Sequence, residues 1–422
     1  IMATYKEQNK LNVPHLRFPE FQGEWEKHGL SEYLDFKNGL NPDSKRFGKG
    51  IKFISVMDIL NNPVITYDCI RASVQATDAE ISSFSVENGD ILFQRSSETL
   101  EDVGRANVYI DDRVAVFGGF VIRGKKKANY NPLFFRYLLS SPYARKRIIP
   151  MGAGAQHFNI GQEGLSKVLL NFPSIEEQTK IASLLHLLDE RIATQSKLIE
   201  DLKKLKSAIV EKVFCSPYQE YPMCRIEGFE QALSTYKMSD FSSRIATKNK
   251  DSKCSLVLTI AAQYGLVNQE SFFNKSVASE NLTGYYLLHK GEFAYNRSYS
   301  AGYDWGAVKR LDNYDEGVLS TLYICFKINE TIVDSDYLTY YFESTKWHRG
   351  LSDIAGEGAR NHGLLNVSMT DYFNTKHRFP VIEEQKAIAK MLNTITEKER
   401  KATLLGECYQ KQKQYLLCQM FT

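Results

Sequence analysis

Apolar residues recur at alternating steps of three and four from residue 181 onward: Ile181, Leu185, Leu188, Ile192, Ile199, Leu202, Ile209 and Val213, interrupted only by Gln195 and Lys206. This heptad spacing predicts one continuous helix over residues 175–214, about 60 Å long at roughly 1.5 Å per residue. Leu184, Leu198 and Leu205 widen the stripe, as packing against a neighbour requires. Ser174 and Glu177 have the spacing of a capping box, and "CSPYQEYP" stops the helix at Pro217. A second seam follows at Ile388, Leu392, Ile395, Ala402, Tyr409, Leu416 and Met420, broken by Glu399, Gly406 and Lys413, with Val381 in place of the capping serine. Helices this long with interrupted seams are not stable alone, so the two are expected to pair. Two separate core helices, each inside its own domain, are the alternative.

The two helices open on nearly the same letters. Residues 172–185 read "FPSIEEQTKIASLL" and residues 379–392 read "FPVIEEQKAIAKML", nine of fourteen identical at an offset of 207 residues. That period is too long for a solenoid unit and points to duplication of a domain plus its connector. Fainter matches agree. "GDILFQRSSETLEDVG" (89–104) aligns with "GEFAYNRSYSAGYDWG" (291–306), and the glycine loop "MGAGAQHFNIG" (151–161) with "AGEGARNHGLLN" (355–366). Runs such as "IKFISV", "VAVFGGFVI" and "LYICFKI" are strand-like. The boundaries read as a first domain over 1–173, a long helix over 174–216, a second domain over 217–379 and a second long helix over 380–422. Each globular part is expected to be mixed α+β. The connectors are nearly identical while the domains have diverged, the pattern of two different readers on one symmetric frame. If that frame closes on itself, residues 1–20 pack near the end of the second helix.

Composition narrows the class. At 422 residues, 43% hydrophobic and 24% charged, the chain can bury two ordinary cores. A net charge of +3 neither announces nor excludes a nucleic-acid partner. Cys69, Cys215, Cys224, Cys254, Cys325, Cys408 and Cys418 form no C-x-x-C pair and read as idle thiols in a reducing cytoplasm. No apolar run reaches the roughly 20 residues of a membrane span, and the first twelve residues lack a signal peptide's apolar stretch.

The doubled F-P-x-I-E-E-Q-x-x-I-A segment, with "LRFPEFQGEW" (16–25) and "GDILFQRS", resembles the specificity subunit of a type I restriction-modification system over essentially the whole chain. The resemblance implies an α+β fold: two pseudo-repeated α/β target-recognition domains separated by two long antiparallel coiled-coil helices. It implies one domain for each half of a bipartite double-stranded DNA target and no catalytic site in this chain. It also implies assembly with two methyltransferase (modification) subunits using S-adenosylmethionine, and with ATP- and magnesium-dependent restriction subunits. Half-sites one helical turn apart lie about 34–36 Å from each other, within the reach of a spar of this length. On this reading Ile181, Leu185, Leu188, Ile192, Ile388 and Leu392 belong to partner-binding helices.

Base readout takes Arg to guanine and Asn or Gln to adenine. The candidates are Arg95, Ser96, Gln156, His157 and Asn159 in the first domain, and Arg297, Ser298, Arg360, Asn361 and His362 in the second. The alternative for Arg95 and Arg297 is structural pairing with a nearby Asp. Lys45, Arg46 and Lys49, then Lys125, Lys126 and Lys127, and Lys248, Lys250 and Lys253 are candidates for phosphates or plain solvated faces. Two other classes compete. An adenine methyltransferase could use "NPLF" (131–134) and the glycine-rich "FGGF" (117–120), yet the loop lacks its second Pro and no glycine turn sits between a strand and a helix with a downstream acid. A non-DNA-binding assembly scaffold fits the helices alone. A nuclease lacks a metal-binding carboxylate cluster, and the histidines form no ligand pair.

Overall fold

A computed structural model of the chain describes residues 12–275, 281–298, 302–354, 360–361, 364–365 and 367–422. It divides into two units, residues 1–196 with 404–422 and residues 197–403. Each is a mixed helix and sheet fold on the same plan.

In the first unit a four-stranded antiparallel sheet runs in the spatial order Leu34–Asn38, Val121–Lys126, Ile91–Gln94 and Ala106–Val108. In the second the order is Ser242–Arg244, Ile324–Ile328, Phe293–Asn296 and Ala307–Arg310. Of the strand-like runs, "LYICFKI" supplies a middle strand of the second sheet and "VAVFGGFVI" ends in a middle strand of the first, whereas "IKFISV" enters a separate small sheet. The middle strand Ile91–Gln94 is buried at every position. A two-stranded ladder closes each unit, Glu26–Gly29 on Leu169–Phe172 and Ser234–Lys237 on Lys376–Phe379. The units differ in what is added. The first carries a small sheet built on Phe47–Ile54 and Ala115–Phe117, the second a hairpin of Leu258–Ala261 with Gly265–Asn268.

The long helices span Ile175–Val213 and Ile382–Gln419, 39 and 38 residues. Every seam position read from the sequence is buried or half-buried, including the interruptions. Lys413 lies 2.5 Å from Asp189, which also accepts from Tyr137 Oη at 2.8 Å and Arg136 at 3.2 Å. Burial works to raise the Asp189 carboxyl, but Lys413, Tyr137 and Arg136 outweigh it and hold it below its ordinary value. Lys206 approaches Glu399 at 3.9 Å and Glu343 at 3.7 Å. The polar breaks expected to weaken the second helix are therefore ion-paired inside the units.

The end of each helix completes a core. In the first unit Leu416, Met420 and Phe421 pack with Trp25, Phe134, Ile181 and Leu185, Phe421 lying 5.7 Å from Phe134. In the second, Val210, Val213 and Phe214 pack with Ile388 and Leu392, Phe214 lying 5.0 Å from Tyr337. Backbone bonds repeat the arrangement: Leu16 N–H donates to Gln419 O at 2.9 Å and Cys224 N–H to Lys212 O at 3.0 Å. The segment from residue 12 therefore meets the end of the second helix, as a frame that closes on itself requires; residues 1–11 lie outside the described residues. Within each unit the start of one long helix packs with the end of the other, an antiparallel pairing.

This packing corrects one expectation. Ile181, Leu185, Leu188, Ile388 and Leu392 are buried and Ile192 is half-buried in the chain's own cores, so their apolar surface is not available to a partner subunit. The exposed apolar residues of the helices are instead Leu187, Leu198 and Leu205, and Leu404, Leu405 and Tyr415.

The repeated E-E-Q is a joint. Glu177 receives Arg17 through Nε and Nη2, both at 2.8 Å, and Glu384 receives Arg225 at 2.8 and 2.7 Å. Both arginines also donate to carbonyls of their own strap, Arg17 to Gln22 O and Arg225 to Gln231 O. Gln178 Nε2 donates to Pro173 O while its Oε1 accepts from Asn131 N–H; Gln385 does the same with Pro380 O and Asp334 N–H. Glu177 thus does not close the capping box, because Arg17 occupies its carboxylate. Ser174 Oγ still accepts from Glu177 N–H at 3.4 Å, and the second helix begins with no such side-chain cap. Asn131 caps the helix Pro132–Ser140, so "NPLF" is a helix start tied to Gln178.

One buried group distinguishes the units. His377 Nδ1 lies 3.0 Å from Tyr341 Oη and its Nε2 2.9 Å from Thr375 Oγ1, where the first unit has Leu170 in the same ladder position. Burial pushes the imidazole down to about 3, so it stays neutral in the fold. Between that value and about 6.5 the unfolded chain binds a proton that the folded one refuses, so stability falls as pH drops through this window and is complete above it. The variant Tyr341→Phe/His377→Leu, which leaves no unpaired hydroxyl, is expected to lose about 2 kcal/mol less than the parent between pH 7 and pH 5. Urea unfolding followed on second-unit peptides measures this, and equal losses would refute the assignment.

Candidate nucleic-acid interface

In each unit an arginine at the end of a central strand joins a turn to the glycine loop. After Ile91–Gln94 the chain runs into Ser96–Ser97, which pairs with Phe158–Asn159 of the loop, Asn159 opposite Ser96. Ile160 N–H donates to Arg95 O at 3.0 Å, and Arg95 N–H donates to Phe120 O at 2.9 Å. The Arg95 guanidinium donates to Gly119 O at 3.2 Å. Arg95 is therefore a tie between two turns and does not pair with an Asp. Ser96 Oγ donates to Asn159 Oδ1, and Asn159 Nδ2 to His157 O at 3.3 Å. Gly154 has φ +146°, and a Cβ there would stand 2.0 Å from His157 O, so only glycine permits this loop to fold back. The consequence is that Gln156, His157 and Asn159 are all exposed on one short excursion.

The second unit repeats the backbone connection with different side chains. Leu365 N–H donates to Arg297 O at 3.0 Å, and the Arg297 guanidinium donates to Val367 O at 3.1 Å and Leu322 O at 3.2 Å. Ser298 N–H donates to Asn296 Oδ1 at 3.0 Å. Arg360–Asn361 forms a short hairpin with Leu364–Leu365, Arg360 opposite Leu365. The side chains of Arg360 and Asn361 and the whole of His362 lie outside the described residues.

Sequence reasoning missed the tips of the neighbouring turns. Phe120 is 69% exposed and Leu322 is 63% exposed, each in the turn whose carbonyl the arginine holds. The available signal was a large apolar residue beside turn residues, in "GGF" and "TLY". "FGGF" is the turn between strands Ala115–Phe117 and Val121–Lys126, with no helix following it.

The lysine candidates go elsewhere. Val121 pairs with Gln94 and Gly124 with Ile91, so Lys125–Lys127 lie at the opposite end of that strand, about 13 Å along. Lys125 pairs with Glu87 at 3.0 Å and Lys126 donates to Tyr130 O at 3.1 Å. Arg46 is held by Glu80 and Gln75 O, and Lys248 by Gly284 O. Lys45, Lys49, Lys127, Lys250 and Lys253 remain exposed. Among the described residues no cluster of His, Cys, Asp and Glu could hold a metal ion, and no helix is long and apolar enough to cross a membrane.

Known proteins share this plan. Residues 22–204 match the family model described as the type I restriction modification DNA specificity domain. A protein described as the type I restriction enzyme MjaX specificity subunit of Methanocaldococcus jannaschii is 22% identical over 419 residues, 94% of this chain and 92% of that protein. The crystal structure of a type I restriction-modification S subunit from M. genitalium aligns over 97% of this chain and 99% of its own with a TM-score of 0.55 at 15% identity. A chain from a study of complex assembly and conformational transition in the type I R-M system aligns over 96% and 98% with a TM-score of 0.54 at 13% identity. The chain is thus similar, over nearly its whole length, to specificity subunits of type I restriction-modification systems, and its residues 22–204 match the model of that family's DNA specificity domain.

Proposed function

We propose that this chain is the sequence-specific DNA-binding specificity subunit of a type I restriction-modification complex, each unit reading one half of a bipartite target. The observation that carries the reading is the duplicated loop tie. Arg95 O and Arg297 O accept equivalent backbone bonds at 3.0 Å, from Ile160 and Leu365, so the same strand end is tied to the following segment in both units while the two segments differ in sequence. A shared frame with loop sequences that diverge supports two different sequences read in one manner. In this proposal the chain is not itself an enzyme. Two modification subunits carry S-adenosylmethionine chemistry on adenine, and restriction subunits carry ATP- and magnesium-dependent cleavage. The exposed helix residues Leu187, Leu198, Leu205, Leu404, Leu405 and Tyr415 supply apolar surface for those subunits.

The test is modified-base sequencing of DNA from a methylation-free host expressing this chain with its cognate modification subunit, beside hosts expressing either alone. Methylated adenines in one split motif are expected only with both. Methylation by this chain alone would make it an enzyme, and a stable complex without methylation or DNA retardation would make it a scaffold.

A further inference from the structure

A second polar feature of the first unit lies apart from the loop tie. A cavity of about 420 Å³ opens beside the edge strand Ala106–Val108, its polar wall formed by Arg105, Arg136, Arg145, Asn107, Ser140 and Glu101. Two of its arginines are already matched. Arg105 pairs with Asp102 at 2.6 Å, and Arg136 with Asp189 at 3.2 Å. Arg145 is not. Its Nη2 donates to Glu101 O at 2.8 Å and Val103 O at 2.6 Å, both uncharged acceptors, while its Nη1 is buried with no hydrogen-bond partner. Burial above all, and less so the neighbouring Arg105 charge, push this guanidinium down to about 10, with the Asp102 carboxylate working the other way.

A buried, unpaired N–H on a charged group is costly and is normally met by a counter-charge. The remaining polar groups do not meet it: Asn107 Nδ2 donates to Ile59 O and Asn62 O, and Ser140 Oγ to Arg136 O. Glu101 contributes its carbonyl to Nη2, and its exposed carboxylate leaves Nη1 bare.

We infer that this cavity is an anion site that takes a phosphate group against Arg145 and Arg105. Guanidinium groups suit a tetrahedral oxyanion because their N–H groups form a planar fork. The volume is ample for a phosphate and admits a small phosphorylated molecule against Ile59, Leu60, Leu139 and Ile149. The same chemistry is offered by a backbone phosphate of bound DNA, a source that rests on the proposed function, or by a free phosphorylated compound, which does not. The wall reaches both parts of the unit that matter: Ile149 leads into the glycine loop, and Arg136 is the arginine held by Asp189 of the long helix.

The experiment titrates inorganic phosphate against the full chain, chloride holding ionic strength constant, and follows the thermal midpoint. The parent is expected to rise with log phosphate, as ligand linkage requires. Arg145→Met should abolish the rise. Because that substitution also removes two carbonyl contacts, Arg105→Gln, at a half-exposed position, is the second variant and should weaken the apparent affinity at least tenfold. No rise in the parent, or an equal rise in both variants, overturns the site. Two further arms identify the source. If DNA supplies the phosphate, Arg105→Gln lowers the slope of log affinity against log salt by about 0.9 for the assembled complex. If a free compound does, ATP reproduces the phosphate shift at lower concentration and the DNA slope stays unchanged. Loss of all DNA binding with an intact phosphate response would refute the proposed function and leave the site standing.

Discussion

Glu384→Ala is expected to destabilise the second unit by about 3 kcal/mol, at the lower end of what breaking a buried ion pair costs. The carboxylate is 2% exposed and receives Arg225 through two bonds at 2.7–2.8 Å. Its removal leaves a guanidinium, 17% exposed, facing a helix start without its bidentate partner. Gln385 depends on the same helix turn, since its amide holds both Pro380 O and the N–H of Asp334, the cap of helix Ser335–Tyr341. The loss should therefore spread from the joint into the domain. Hydrogen-exchange mass spectrometry reads it by region. Peptides covering 376–392 should lose roughly a hundredfold in protection, about 1.4 kcal/mol being a factor of ten. Peptides covering 169–185, whose joint uses Glu177 and Arg17, should keep theirs. Arg225→Met/Glu384→Met should recover most of the loss, because well-packed apolar groups replace both charges. A change below tenfold in Glu384→Ala would mean that the repeated E-E-Q does not hold the joint.

The doubling, the helix seams and the mixed α+β domains were legible because each rests on periodicity or on repeated letters. Nine identities in fourteen mark a demand met twice, and the seam positions from Ile181 to Val213 and Ile388 to Met420 alternate as helix geometry dictates. The reason for the identities was not legible. Glu177 looks like half of a capping box until Arg17, 160 residues earlier, takes its carboxylate. Lys413 and Glu399 look like defects until Asp189 and Lys206 appear opposite them. Pairings of long sequence separation leave no local trace, so polar breaks in an apolar stripe read as weakness when they are contacts. The site was divided in the same way. Glycine spacing identified the first unit's loop, since Gly154 is required by the backbone itself; the glycines of the matching stretch in the second unit lie outside the described residues. Which side chains leave the surface was not legible, because Lys125–Lys127 and Arg95 are equally polar in the sequence and only the strand register separates their ends.

That division makes the loop the place to test readout. Gln156→Ala/His157→Ala is expected to relax the target at one half-site while leaving the other half unchanged. Both side chains are exposed on the excursion between Gly154 and the Asn159–Ser96 pairing, so the variant should fold as the parent does. A bidentate base contact is worth about 1–3 kcal/mol of discrimination. Losing one such contact should lower the preference for the cognate half-site by roughly 10- to 100-fold in competition binding by the assembled complex. The methylated motif from a host carrying the variant should become degenerate at bases of that half alone, because the second unit's loop is untouched. The exposed Phe120, whose carbonyl is tied to Arg95, separates direct reading from mere loop integrity. Phe120→Ala should change affinity through lost apolar contact without introducing degeneracy at the bases that Gln156 and His157 read. An unchanged motif with undiminished affinity in the loop variant would remove this loop from recognition, and degeneracy in both halves would show that the units do not read independently.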